Sequence, residues 1–374
     1  GTIDAYWNTT KDLLMKTAIP GITGFTSTYA NVGQTSNKGI EFALQGVLVK
    51  TRDWNVTAGF NINFNRGKVD KLADNVTGLY GTEWATSSTF PKSDYVLKEG
   101  RPVGLVRGLT ADGFYTTDDF TYENGVYTLK EGVADVSSAV FPNYHLHNGM
   151  NERPAGQLAY PGMAKFKDLN DDGIINDDDV DVIGDMTPVH TGGFNINATY
   201  KNFDLGLYFN WSYGNEIYNV NKLAALYGYK EGAVYENKLS IVKDCYKIYD
   251  VVNGELVALT TPEQLNAANA NAKLPLAYSE NGYVSTLGIE DGSYLRLNTL
   301  TLGYTLPKSM LQKAGISNLR VYGSIYNVFT ITGYSGIDAE VSTSTSTKTY
   351  PQLGMDWGTY PRARSFVLGV NLSF

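Results

Sequence analysis

Phe203-Asp-Leu-Gly-Leu-Tyr-Phe-Asn-Trp-Ser-Tyr213 sets an apolar or aromatic residue at every odd position, with Asp204, Gly206, Tyr208, Asn210 and Ser212 between them. Alternation with period two is the spacing of a β-strand that has one apolar face. The pattern recurs. Over 54–65 the apolar set is Trp54, Val56, Ala58, Phe60, Ile62 and Phe64, set against mostly Asn and Thr. Over 194–200 it is Phe194, Ile196, Ala198 and Tyr200, and 319–331 repeats it. The chain ends on Phe366, Leu368, Val370, Leu372 and Phe374. Weaker examples are 3–7, 40–49 and 294–306, where the phase slips near Asn298 as it does at a β-bulge. Eight strands result, of the kind that crosses a bilayer at a tilt in ~9–11 residues.

A soluble β-sandwich alternates too, and it stands as the competing reading. Its strands usually run nearer ~5–6 residues. The connections here also alternate in length. Short ones (50–52, 201–202, 307–317) take turns with long ones (10–37, 66–191, 214–292, 332–362). Brief turns at one end and long loops at the other are expected of an outer-membrane barrel with periplasmic turns and extracellular loops. Closure then removes the sheet edges that a membrane does not tolerate. The sequence therefore predicts an all-β fold, a transmembrane antiparallel barrel segment. Within the long connections, 222–229 and 261–273 read as short helices, the second opened by Thr261-Pro-Glu-Gln. Ser342-Thr-Ser-Thr-Ser-Thr-Lys-Thr349 reads as a mobile polar loop tip.

Composition narrows the function. Of 374 residues 43% are apolar and 18% charged, and the net charge is −8. Such an acidic chain is not expected to bind nucleic acid, which calls for a basic face. A single cysteine, Cys245, rules out an internal disulfide framework and reads as a small buried hydrophobe. No run approaches the ~18 apolar residues of a membrane helix. The opening Gly1-Thr-Ile-Asp-Ala-Tyr-Trp-Asn8 has no signal-peptide character and alternates as though inside or just before a strand. The sequence is accordingly expected to be a stretch of a longer protein.

The sharpest motif is Asp168-Leu-Asn170-Asp-Asp172-Gly-Ile174-Ile-Asn176-Asp-Asp-Asp179. It follows a calcium loop: oxygen ligands at positions one, three and five, glycine for the turn, a carbonyl from Ile174, then Asn176 and Asp179 at nine and twelve. Aspartate replaces the usual glutamate at twelve, and its shorter arm leaves Mg²⁺ as the alternative to Ca²⁺. The competing reading is a solvated acidic turn. The flanks read as loop, so a bound ion would have a structural role as a staple rather than a sensor. Catalytic signals are poor. His145 and His147 lack a third ligand, His190 stands alone, and no nucleophile elbow, phosphate loop or zinc motif occurs. The sequence reads as no enzyme. Loop aromatics Tyr80, Trp84, Tyr95, Tyr115, Tyr144, Tyr334, Tyr350, Trp357 and Tyr360 are candidates to stack on sugars or clamp peptide side chains, or else to pack the loops together.

Several segments resemble the SusC/RagA family of TonB-dependent outer-membrane transporters. They are residues 6–14 around Thr10-Lys-Asp-Leu-Leu14, Asn31-Val-Gly33 with Asn37-Lys-Gly-Ile-Glu41, Lys165-Phe-Lys-Asp-Leu-Asn-Asp-Asp-Gly173 and Gly192-Gly-Phe194. Leu302-Gly-Tyr-Thr-Leu-Pro307, Asn327-Val-Phe-Thr-Ile-Thr-Gly-Tyr-Ser-Gly336 and Tyr360-Pro-Arg-Ala-Arg-Ser-Phe366 complete the series, in family order. The resemblance implies a barrel of 22 strands of which this chain supplies the C-terminal part, a plug domain that is absent here, and integral placement in the bacterial outer membrane in contact with lipid. It also implies a SusD-like surface lipoprotein as lid, energy delivered through TonB by way of the plug, and uptake of oligosaccharides or oligopeptides. The chain alone is then not expected to close a barrel. The alternative from another class is a calcium-stapled soluble β-sandwich that binds ligand at a cell surface.

Overall fold

Period-two alternation becomes a single up-and-down sheet in the computed structural model. It describes residues 1–18, 24, 27–73, 76–86, 89–141, 153–226, 238–277, 282–311, 315–341 and 352–374. The eight strands are β1 (Thr2–Ala18), β2 (Ser27–Lys50), β3 (Trp54–Lys71), β4 (His190–Tyr200), β5 (Phe203–Tyr213), β6 (Tyr294–Thr305), β7 (Asn318–Thr332) and β8 (Ser365–Ser373). Each pairs antiparallel with its neighbour in sequence. Among the described residues β1 pairs only with β2 and β8 only with β7, so the sheet is open at both edges.

Register aligns the apolar residues in rows. Leu44, Phe60, Phe194, Phe209, Leu297 and Phe329 form one row from β2 to β7. Val56, Ala198, Leu205, Leu302, Gly323 and Leu368 form another from β3 to β8. Cross-strand neighbours on one face pack together, and the Phe194 and Phe209 rings stack with centroids 4.3 Å apart. Among the described residues this face is largely uncovered: Ile3 is 73% exposed and Leu368 88%, and of the two rows only Leu297 is buried. A sandwich would bury it against a second sheet, so that alternative is set aside. The phase slip near Asn298 is a bulge. Tyr208 pairs with Thr299 and Phe209 with Leu297, which returns Leu297 to its row.

Three connections differ from expectation. Most of 10–37 is strand, not loop. The run Thr10-Lys-Asp-Leu-Leu14 breaks the alternation, but the break is a bulge with Asp12 at φ 57°, after which β1 continues until Ala18 meets Ser27. Likewise β3 runs on to Lys71 opposite Gln34, so the next connection is 72–189 rather than 66–191. Beyond Phe64 the strand's side chains are mostly polar; the extension is held by backbone pairing, by Val69 packed on Leu72 and Leu97, and by Asp70, which accepts from Ser36 Oγ (2.9 Å). The other long connections are 214–293 and 333–364, close to the predicted 214–292 and 332–362. The helices are α1 (Val220–Leu226), α2 (Pro262–Asn269) and, in the short connection before β7, α3 (Lys308–Leu311). α2 starts on the expected capping box: Thr261 Oγ1 accepts the Gln264 amide, and Gln264 Oε1 accepts the Thr261 amide. Residues 227–229 and 342–349 fall outside the described residues.

The long connections fold as a body of their own. Leu109, Tyr115, Tyr127, Tyr160 and Ile175 from 72–189 share one fully buried core with Leu265 from 214–293. A second core joins Tyr95 and Val106 to Tyr218, Leu223 and Met355, which draws in the connection 333–364. Small sheets stitch these segments, one of four strands (Leu79–Gly81, Tyr95–Leu97, Leu105–Gly108, Asp181–Asp185) and one of three (Glu216–Asn219, Ile289–Asp291, Met355–Asp356). Cys245 is 4% exposed, as a small buried hydrophobe should be, and burial pushes its thiol up to about 11.

Candidate functional site

Alternation that sends apolar residues to one face sends Asn, Thr and Ser to the other. Asn61, Gly193, Asn210 and Arg296 are register partners there, and so are Asn63, Thr191, Ser212 and Tyr294. The polar face is a network: Tyr6 hydroxyl donates to Asn65 Oδ1 (3.0 Å), Tyr208 hydroxyl to Asn197 Oδ1 (3.1 Å), and Thr301 and Ser324 share a hydrogen bond of 2.8 Å. Among the described residues the buried Oδ1 atoms of Asn37, Asn63 and Asn210 have no hydrogen-bond partner. Amide acceptors left open on a concave wall are suited to water or to the N–H and O–H groups of a polar ligand.

Two charged devices interrupt the amides. Near the short-turn end, Arg320 and Asp204 form a paired contact across β6. Near the loop end, Arg296, only 3% exposed, pairs with Asp338 and approaches Glu340 at 3.8 Å. Arg362 closes the cluster on Glu340 at 2.8 Å. A buried guanidinium needs such partners, since an unpaired charge out of water costs several kcal/mol, on the order of ~3–5 when a partner is removed. The cluster ties the connection 333–364 to the polar face of β6. Sequence reading missed it, although an arginine inside the alternating run Tyr294-Leu-Arg296-Leu was the available signal, because a charge in a wall strand has to find an acid.

The nine candidate aromatics separate into groups. Tyr95, Tyr115 and Tyr334 lie in the cores of the loop body, so the structure does not offer them to a ligand. Their hydroxyls donate to Leu353 O (2.8 Å), Ala134 O (2.6 Å) and Asp356 Oδ2 (2.7 Å), and burial pushes all three phenols up. Tyr80 is half-exposed beneath the Arg107 guanidinium at 4.8 Å. Trp84 meets Tyr218 edge-on. It is positioned by Asp94, whose buried carboxylate accepts the amides of Glu83, Trp84 and Ala85 at 2.8–2.9 Å while burial pushes its pKa up. Trp357 and Tyr360 are exposed, Tyr360 by 88%. Tyr144 and Tyr350 lie outside the described residues, as do His145 and His147. His190 accepts Trp211 Nε1 at 3.0 Å and stacks on Tyr213, a packing role.

The acidic loop is ordered by its own side chains. Asp168 accepts the amides of Asp172 and Gly173 (3.2 and 2.7 Å), Asn170 accepts that of Asp172 (3.2 Å), and Asp172 accepts that of Ile174 (2.9 Å). Asn176 Nδ2 donates to the Ile174 carbonyl (3.1 Å). Asp179 is fully buried and accepts from Leu169 (2.7 Å) and Asn176 (2.8 Å). Gly173 has φ 84°, the left-handed turn that the motif needs. Ile175 fills the apolar slot and enters the core. Among the described residues, no three carboxylate, imidazole or thiol groups gather tightly enough to hold a metal.

Comparison with known proteins returns a consistent set. TonB-dependent receptor P3 of Formosa agariphila is 30% identical over 378 residues, which cover all of this chain and 32% of that protein. TonB-dependent receptor SusC of Bacteroides thetaiotaomicron is 27% identical over 382 residues, covering all of this chain and 30% of SusC. Among solved structures, the RagAB peptide importer in its "closed-closed" state matches with a TM-score of 0.67 at 23% identity, over the whole chain and 33% of the matched one. The chain thus spans about a third of the length of the relatives it matches. No protein-family model matches it.

Proposed function

We propose that the chain belongs with the TonB-dependent outer-membrane receptors of the SusC/RagA type and that the protein containing it imports an oligosaccharide or oligopeptide through the barrel whose wall these strands supply. As an outer-membrane β-barrel wall related to receptors and transporters, the chain is not an enzyme. One observation carries the transport reading: a sheet whose uncovered face is apolar and whose opposite face is an amide-rich network with open acceptors, roofed by loops folded around their own core. The apolar rows turn to lipid and the amides to the lumen. The open edges at β1 and β8 pair with further wall strands. A SusD-like lipoprotein closes over the exposed loop aromatics Tyr80, Trp357 and Tyr360 and the half-buried Trp84, and energy arrives from TonB. Deleting the gene and supplying it back, with radiolabelled glycan and peptide mixtures as nutrient, tests this. Uptake of one class should vanish and return with the gene. Unchanged uptake of both classes, with the protein folded in the outer membrane, would overturn the proposal.

The acidic loop 168–179 is part of the same reading as a structural calcium loop. Its support is the matching order of Asp168, Asn170, Asp172, the Ile174 carbonyl, Asn176 and Asp179, together with a turn already folded by these groups. A bound divalent cation would offset repulsion among the aspartates and hold the loop on the body; Mg²⁺ is the competing ion. Titration of the detergent-purified protein with Ca²⁺ and Mg²⁺ should raise the melting temperature of the loops with Ca²⁺ preferred, and Asp168→Ala with Asp172→Ala should abolish the rise. No calorimetric signal with either ion would remove the metal from the account.

A further inference from the structure

Between Asn63 and Val69 the strand β3 has lost one neighbour. Its ladder with β4 ends at the pair Asn63–Thr191, while its ladder with β2 continues to Lys71. The free side is taken up again at Val69, whose amide donates to Arg101 O (2.9 Å) and whose carbonyl accepts the Gly100 amide (2.7 Å). In the gap between these two attachments lies a cavity of about 830 Å³, bounded by β3, by the segment leading into β4, and by the loop around Gly100 and Pro102. The wall therefore has an opening just beyond the apolar band.

What lines the opening is basic. Trp7 is the register partner of Lys38, Lys38 of Arg66, and Ser36 of Lys68. By period two these side chains share the face of Ile40 and Phe64, and they occupy the next positions toward the loops. Trp7, Ile40 and Phe64 are all exposed. Arg66 sends one N–H to Pro188 O (2.7 Å) across the gap, and Lys68 is shared with Asp70 (3.2 Å), while Asp185 also lines the cavity. Three cations in adjoining positions contrast with a net charge of −8 for the chain.

We propose that this opening seats the phosphorylated headgroup of a glycolipid from the outer leaflet. A soluble anion would answer the cations alone. Only a lipid also covers the apolar residues directly below them, laying its acyl chains along Ile40 and Phe64 while its phosphate meets Lys38, Arg66 and Lys68. Lysine and arginine at the end of an apolar band extend their charge to headgroup level with their stems in lipid, and a guanidinium matches the oxygens of a phosphate; Arg66 spends Nη1 on Pro188 O and Asn65 O. The sugar ring falls beside the exposed indole of Trp7.

The test uses the full-length protein purified in detergent and returned to nanodiscs that contain either a diphosphorylated glycolipid or the same glycolipid with its phosphates removed. Bound lipid is counted by native mass spectrometry. The unaltered protein should retain the diphosphorylated form preferentially, and Lys38→Ala, Arg66→Ala and Lys68→Ala should weaken retention by about fivefold for each cation removed. Equal retention of both glycolipids would overturn the proposal. So would equal thermal protection by inorganic phosphate alone in detergent, because the site would then serve a soluble anion. If the triple variant does not fold, Arg66→Gln and the comparison of the two glycolipids on the unaltered protein decide the question.

Discussion

Arg320 reaches past an entire intervening strand to hold Asp204, with Nε to Oδ1 at 2.8 Å and a terminal nitrogen to Oδ2 at 2.5 Å. The strand between them, β6, offers Gly303 at the crossing point. A Cβ there would stand 2.4 Å from Asp204 Oδ1 and 2.5 Å from the Arg320 terminal nitrogen. The bridge exists because that residue has no side chain.

Gly303→Ala should therefore displace the pair and lower stability by about 1–3 kcal/mol, read as the urea midpoint of unfolding from lipid vesicles. In a background lacking both charges, Asp204→Ala with Arg320→Ala, the same substitution should cost much less, since neighbouring effects are not additive. Equal costs in the two backgrounds would dissociate the glycine from the bridge.

Asp338→Ala leaves the Arg296 guanidinium buried with only distant Glu340 beside it, at a cost of about 3–5 kcal/mol that should release 333–341 from the wall. Glu340 is partly exposed and stands at 3.8 Å, so Glu340→Ala should be far milder. Limited proteolysis distinguishes them: new cleavage in 333–341 is expected for the first variant and little for the second.

Leu368→Arg, on the uncovered face of β8, should cost about 2–4 kcal/mol if it lies at mid-depth and proportionally less toward the edge. Leu207→Arg on β5 should behave alike, whereas Asn195→Asp on the opposite face should insert normally. Heat-modified gel mobility after folding into vesicles reports the outcome. Normal insertion of both arginine variants would reverse the assignment of faces.

Glu290 joins two loops. Its carboxylate accepts from Asn219 (3.1 Å) and from the Ser335 hydroxyl and amide (both 2.9 Å), with Lys222 at 3.2 Å. Burial acts to raise its pKa, but the bonds from Ser335 and Lys222 outweigh it and hold the group below the usual carboxylate range. A depressed folded-state value means stabilisation that is complete above the unfolded value, about 4.3, and lost as pH falls through the folded one. Amide protection factors around 333–341, which correct for the intrinsic pH dependence of exchange, should thus fall below about pH 4 in the unaltered protein. Glu290→Gln should show low protection throughout, with little dependence on pH there.

Where lipid imposes alternation, the strands were legible. Phe203 to Tyr213 reads as β5 residue for residue, and the slip at Asn298 marked a true bulge. Where strands leave the apolar band the signal stops, which is why the extensions of β1, β2 and β3 read as loop: between Asn65 and Lys71 the one large apolar residue is Val69, too little to mark a period. The candidate aromatics show another limit. Tyr95 and Tyr80 are the same residue type in the same connection, yet one is 1% exposed and the other 51%. Short irregular strands and contacts between distant loops decide that difference, and neither leaves a local pattern. Arg296 was readable in principle, its partner Asp338 was not, since 42 positions separate them.

The loop body and the wall are sorted by two different solvents, and this governs how the chain matures. Tyr115, Tyr127 and Leu265 gain by leaving water and can do so in any aqueous compartment. Leu368 and Phe366 have no protein surface to leave water for, so their strands gain nothing until a bilayer arrives. Collapse of the loops is thereby separable from insertion of the strands. A nascent chain in transit carries a compact knot of loops between sticky ribbons, and any factor that escorts it must grip the ribbons.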